Sequence, residues 1–274
     1  MPRIQGWGAV TRRPTPSASA ARFELSSTLK TKVKEASDVV ALPAGAFAIV
    51  GDRSDRITVI DARGRARSIE LPGLENGKSQ LEGVAYDPHR KHLFVAREES
   101  REILRYEWDP SKNAAPRLEK TFTAPAGPDE PKNKGIEGLA YLEGHLSPTG
   151  RPQLVLASEG NPRRLLLADD GGGGKPLKVK LERDVYSVCR DFSAVAVDPK
   201  TGHLFISSDE SATVAQVQLV RDGDTVRGQL VQSFPLRTAK DKPLERVEGL
   251  TFDERGDLFV LTENDGDLRR LARR

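Results

Sequence analysis

Apolar residues in this chain come in short bursts separated by polar turns, and they seldom fall at the three-to-four-residue spacing of an amphipathic helix. In LEGVAYDPHRKHLFVAREESREILRY, from Leu81 to Tyr106, the segments GVAYD, HLFVA and EILRY carry β-branched and aromatic residues. DPHRK and REES supply turn chemistry between them. The segment therefore predicts three consecutive strands.

The same pattern recurs from Ala36, Ile136, Phe192 and Val247, so there are five copies. With Ser37, Glu82, Glu137, Ser193 and Glu248 as matching positions, the steps between copies are 45, 55, 56 and 55 residues. A fourth strand is predicted after each of the first four copies, near Ile69, Phe122, Val179 and Leu230. The last copy lacks one, while the segment Ala21 to Ser27 is a strand with no copy of its own. Pairing these two ends would close a ring and protect the edges of an open array. The expectation is a five-bladed β-propeller of four-stranded antiparallel blades, completed in the last blade by the N-terminal strand. Residues 1–20 read as a flexible arm before a single domain over 21–274. A β-sandwich would leave the repeat unexplained.

Composition fits this picture. The 24 Gly and 18 Pro suit many short elements and many turns. Net charge is only +3, from 43 basic and 40 acidic residues, and aromatics are 5%, so nucleic acid is not an expected partner. Lys30, Lys32 and Lys34, and Arg269, Arg270, Arg273 and Arg274, read as solvated basic faces. Cys189 stands alone, which excludes an internal disulfide, and reads as a small buried group. No apolar run reaches the roughly 18 residues of a membrane span. A cytoplasmic monomer is expected; the alternative is an extracytoplasmic protein whose export segment is absent from this sequence.

The segments LEGVAYDPHRKHLFVAREE, IEGLAY and VEGLTFDERGDLFVLTEND resemble the SdiA-regulated propeller family, distantly related to NHL-repeat propellers, over roughly residues 35–271. A more distant similarity is to the phytase-associated esterase-like propellers. The resemblance implies a five-bladed propeller with an axial calcium and no established reaction. Ser37 with Asp38, and Ser193 with Ala194, depart from the Glu-Gly motif.

The copies concentrate acid in two rows. The first, before the first strand of each copy, is Ser37, Glu82, Glu137, Ser193 and Glu248; the second, after the second strand, is Asp52, Glu98, Glu159, Asp209 and Glu263. Antiparallel pairing brings the start of one strand and the end of the next to the same sheet edge. Both rows are therefore expected at one mouth of the ring, where so many like charges need a proton, an arginine or a cation. An oxygen-only donor set without His or Cys suits calcium. Glu82, Glu137 and Glu248 are the expected metal ligands. Asp52, Glu98, Glu159, Asn161, Asp209, Glu263 and Asn264 are the expected ligand-binding residues. The plain alternative is that these carboxylates latch turns and are neutralised by Arg53, Arg97 and Arg163.

Other features carry less. His92 and His203 read as solvent-facing turn residues at the opposite edge, with His89 in the same turn. The DDGGGG stretch from Asp169 lacks the Lys and helix of a phosphate loop and reads as a turn. A six-residue insertion around His145 is a candidate functional loop. The expected function is a calcium-stabilised module that binds a small molecule, glycan, peptide or protein at its acidic mouth. The alternative is a metal-dependent hydrolase of a phosphoester or lactone at the same place.

Overall fold

A computed structural model describes residues 22–74, 79–112, 114–124, 135–158, 162–173, 175–263 and 266–274. The proposed arm over 1–20 lies outside them. After β1 (Phe23–Lys30) the chain forms β2 (Ala36–Leu42), β3 (Ala46–Gly51), β4 (Arg56–Ile60) and β5 (Ala66–Glu70), one antiparallel sheet in that order. A second such sheet is β6 (Leu81–Asp87), β7 (His92–Arg97), β8 (Glu102–Glu107) and β9 (Arg117–Thr123). A third run follows as β10 (Gly138–Leu142), β11 (Gln153–Ser158), β12 (Arg164–Asp169) and β13 (Leu177–Leu181). A short helix, α1 (Arg183–Val188), then precedes β14 (Ala194–Val197), β15 (Leu204–Ser208), β16 (Thr213–Asp222) and β17 (Thr225–Pro235). The chain closes with β18 (Val247–Phe252), β19 (Leu258–Thr262) and β20 (Asp267–Arg273).

The N-terminal strand β1 pairs antiparallel with β20, giving the order β1-β20-β19-β18. Phe23 anchors it by packing edge-on against Phe205, with ring centroids 5.6 Å apart, and against Phe234 and Phe252. Arg273 lies over the rings of Phe23 and Phe252 and pairs with Asp198 at 2.6 Å. Arg269 and Arg273 are thus largely covered and not part of a solvated face, whereas Arg274 is exposed. Arg269, Arg270 and Arg274 pair with Asp267, Asp257 and Glu24.

Two features depart from the sequence reading. The outer strands β13 and β17 pair in parallel over three residue pairs, joining the third and fourth runs into one eight-stranded sheet. The long hairpin β16–β17 reaches the exposed edge of the short β13. Gly228 permits the approach, since a Cβ there would lie 2.6 Å from the Leu181 side chain. The second feature is α1, which alternation did not predict.

The first strands of the five runs form a closed circuit, with β2 beside β6 and β18, and β10 beside β6 and β14, while β14 also neighbours β18. Hydrophobic clusters fill the spaces between successive runs, and the one containing Val39, Ile49, Leu261 and Leu268 joins the last run to the first. Small residues on the first strands allow this closeness. A Cβ on Gly138 would lie 2.9 Å from the Val195 nitrogen. Asp87, Asp198 and Asp253 each accept backbone N–H groups of the turn after a first strand, which explains the Asp-rich turns. Among the described residues no helix is long and apolar enough to cross a membrane.

Candidate functional site

Each residue of the first row sits where pairing to the second strand is irregular. The register skips Ser37 between Ala36 and Asp38, Glu82 between Leu81 and Gly83, and Glu248 between Val247 and Gly249. Glu137 donates its N–H to Ala157, already the partner of Gly138, and Ser193 donates to Ser207, already the partner of Ala194. Two residues face one in every case, which is a β-bulge, and a bulge redirects the extra side chain. Strict alternation would not place these side chains.

Four of the bulged residues, Ser37, Glu82, Glu137 and Glu248, are linked to one another through hydrogen bonds or charge, directly or by way of the second row. Glu82 hydrogen-bonds to Ser37; burial, then the charges of Glu98, Asp52 and Glu248, push its carboxyl up to about 8. Burial pushes Glu248 up to about 7, aided by Asp209, Glu263 and Asp191 and opposed by Arg246. Glu98 is raised by burial and shares a hydrogen bond with Glu137, a contact between two carboxyl groups that retains a proton. Glu82, Glu137 and Glu248 thus belong to one electrostatic network. Glu159, Asn161 and Asn264 lie outside the described residues.

Part of the second row also has latching work. The Asp209 carboxylate accepts the Val247 N–H at 3.1 Å, tying the fourth run to the fifth, and Glu98 accepts the N–H of Gly135. Glu263 pairs with Arg246 at 2.7 Å, while Asp52 faces Arg53 at 3.8 Å. The other two arginines turn elsewhere. Arg97 bonds Glu102, and Arg163 bonds the Cys189 carbonyl and lies over Tyr186 and Phe192. Ser193 is buried against Ser207 at 3.0 Å. Among the described residues no three His, Cys, Asp or Glu side chains converge as a metal site.

Two acids escaped the sequence reading. Asp38 occupies the place that Gly83, Gly138, Ala194 and Gly249 hold in the other copies. Its side chain is fully buried and accepts the N–H groups of Val39 at 2.8 Å and Val84 at 2.9 Å, and the N–H groups of Leu139 and Leu250 also face it. One carboxyl group therefore draws together four first strands. Burial pushes it well above the usual carboxylate range, while the four N–H groups pull it down. A charged residue at a glycine position of the repeat was the available signal. Asp191, after α1, is raised by burial; it bonds Ser208 and the Glu210 N–H and adds to the field on Glu248.

At the opposite edge, His203 is buried and bonds Gln216 at 2.8 Å, and His92 is half-buried 3.2 Å from Glu119, so neither is the solvent-facing residue expected. The insertion around His145 is tied down by Ser147 and Thr149 hydroxyls on Gln153, at 2.8 and 2.9 Å. Cys189 is buried, with its thiol pushed up to about 12.

The sequence model of the SdiA-regulated family matches residues 112–265, more than half of the chain. The chain belongs to the SdiA-regulated family. This member of the family is a β-propeller, and its solved neighbours are propeller-type proteins. The glutaminyl cyclase of Myxococcus xanthus covers 92% of this chain and 97% of its own, with TM-score 0.62 and 15% identity. The PQQ-bound aldose sugar dehydrogenase of Streptomyces coelicolor covers 92% and 98%, with TM-score 0.58 and 15% identity. A streptogramin B lyase covers 92% and 98%, with TM-score 0.51 and 9% identity. At such identities the likeness concerns the fold.

Proposed function

We propose that this SdiA-regulated protein is a five-bladed propeller whose acidic end takes up a divalent cation, calcium before others, and presents a ligand-binding surface around it. The ligand would be a small molecule, a glycan, or a peptide or protein segment, bound by a monomer. The observation that carries this reading is the set of bulged side chains in which burial and neighbouring like charges raise the carboxyls of Glu82 and Glu248 to about 8 and about 7. Such crowding is unfavourable, and a hard cation relieves it. Glu82, Glu137 and Glu248 would hold the ion, with Asp52, Glu98, Glu159, Asp209 and Glu263, and the amides of Asn161 and Asn264, bordering the ligand.

The donor chemistry fits calcium, being oxygen throughout. When bound, the ion would supply positive charge to an anionic or hydroxyl-rich ligand. Differential scanning fluorimetry tests this directly. Chelator should lower Tm and calcium restore it, since an ion held only by the folded state stabilises it by mass action. The variant with Glu82, Glu137 and Glu248 all changed to Gln should lose that response. An undiminished calcium response in the variant overturns the ligand assignment.

A second reading, hydrolysis of a phosphoester or lactone, is favoured by one observation: carboxyl groups at about 8 and about 7 are suited to proton transfer near neutral pH. Turnover of such substrates that disappears in Glu82→Gln and Glu248→Gln would select it over binding alone.

A further inference from the structure

Beyond Asp38, the first strands of all five runs continue as the wall of a second cavity, about 210 Å3 in volume. Its lining repeats with the copies. Val39, Val84, Leu139, Val195 and Leu250 hold the same position in each copy and form an inner ring, none of them more than 2% exposed. Two residues further along each first strand, a middle ring consists of Ala41, Tyr86, Tyr141, Val197 and Phe252. Two residues further again, Pro43, Pro88 and Pro199 share the mouth with Glu143 and Glu254. The fully buried Asp38, which accepts the N–H groups of the inner-ring residues Val39 and Val84, closes the inner end. The cavity is a blind well.

The polar side chains of its wall are already partnered. The Tyr86 hydroxyl donates to the Trp108 carbonyl at 3.3 Å, Arg90 holds the Tyr141 hydroxyl at 3.0 Å, and the Thr251 hydroxyl accepts the Ala41 N–H at 2.9 Å. Charge is confined to the rim. There the Glu143 carboxylate is shared by His89 at 3.3 Å and His145 at 3.2 Å, Asp253 accepts the N–H groups of Arg255 and Asp257, and Glu254 is exposed. The inner and middle rings are uncharged, so a charged group inside the well would lose its water without compensation.

The insertion around His145 belongs to this cavity. It adds the half-buried Leu146 to the wall, and Gly202 of the following copy packs closely enough against it that a Cβ there would lie 2.9 Å from the Leu146 carbonyl oxygen. The third copy thus extends one side of the well.

We propose that the well binds an uncharged aromatic compound of one ring or two fused rings, at a site separate from the acidic end and independent of any cation. An engineered apolar cavity of roughly 150 Å3 admits benzene, so this space takes a ring with a short substituent. Burial of apolar surface supplies the affinity, and Tyr86, Tyr141 and Phe252 offer aromatic surface to the ring.

Benzyl alcohol is the probe, with benzoate and benzylammonium carrying the same ring as an anion and a cation, each titrated calorimetrically in chelator-containing buffer. Benzyl alcohol should bind one to one and at least about tenfold more tightly than either ion, because desolvating an uncompensated charge outweighs the burial of one ring. Ala41→Phe and Val197→Phe, which fill the well from half-buried positions on β2 and β14, should each weaken it at least about tenfold, with Tm reporting that the variants fold. The charge series on the parent protein decides the matter even where a filled variant fails to fold. Absence of benzyl alcohol binding, equal or tighter binding of either ion, or undiminished binding in the folded variants overturns the proposal.

Discussion

The Asp38 carboxylate is the most concentrated structural commitment in the molecule, and Asp38→Asn tests it with almost no change of shape. The N–H groups of Val39 and Val84 hydrogen-bond to this one side chain, and those of Leu139 and Leu250 also face it. An amide oxygen accepts two of them, and the new NH2 group confronts the other two. Leaving two buried donors unsatisfied costs about 1–3 kcal/mol each, so the loss is roughly 2–6 kcal/mol. At roughly 2–4 °C per kcal/mol, Tm should fall on the order of 10 °C. Asp38→Gly restores the glycine of the other copies and removes the clash between donors, leaving a small polar space on the axis. Formate should then enter and raise the Tm of Asp38→Gly, without moving Asp38→Asn or the parent protein. Scanning fluorimetry at pH 8, with formate and with matched chloride, reads all three. If Asp38→Asn melts with the parent, or if formate shifts every protein alike, the carboxylate is not the acceptor that holds these strands together.

Further outcomes follow from the same geometry. Glu82 and Glu248 bind protons more tightly folded than unfolded, at about 8 and about 7 against an ordinary value of 4.5. Their contribution is full below about pH 4.5 and is lost as pH rises toward 8. In chelator, urea-measured stability should drop by a few kcal/mol from pH 5 to pH 8, since each tenfold difference in proton affinity is worth about 1.36 kcal/mol, and Glu82→Gln should flatten the profile. Calcium should stabilise more at pH 8 than at pH 5, because it competes with those protons; equal stabilisation would contradict the assignment. Phe23→Ala should cost about 2 kcal/mol and increase amide exchange in β20, since it removes the ring that seats β1. Gly138→Val should lower Tm more than Gly150→Val, although the latter has a positive φ, because Gly138 faces the Val195 backbone at close range and Gly150 faces open space.

The repeat was legible because it is written in local chemistry. Bursts of β-branched residues, Asp-rich turns and the acids flanking each hairpin recur at nearly constant steps, so strand order and the pairing of β1 with β20 could be inferred from the chain alone. The carboxylates of the described copies that share a network, Glu82, Glu98 and Glu248 with Asp52 and Asp209, stand at repeat positions for the same reason. The arginine reading fell short because Arg97 and Arg163 can reach several acceptors, and sequence adjacency does not choose among them. The burial of His203 is not legible in the chain, because a turn position says nothing about the neighbouring strand whose Gln216 bonds it.

By itself the sequence determined the five copies, their strands and the concentration of carboxylates at hairpin ends, since these depend on periodicity and turn propensity within a few residues. Only the tertiary structure decided that bulges redirect Ser37, Glu82 and Glu248, that Asp38 gathers amides from four strands, and that β13 joins β17 in parallel. Those outcomes depend on what residues far apart in the chain present to one another, and local propensity carries no information about a partner some fifty or more residues away.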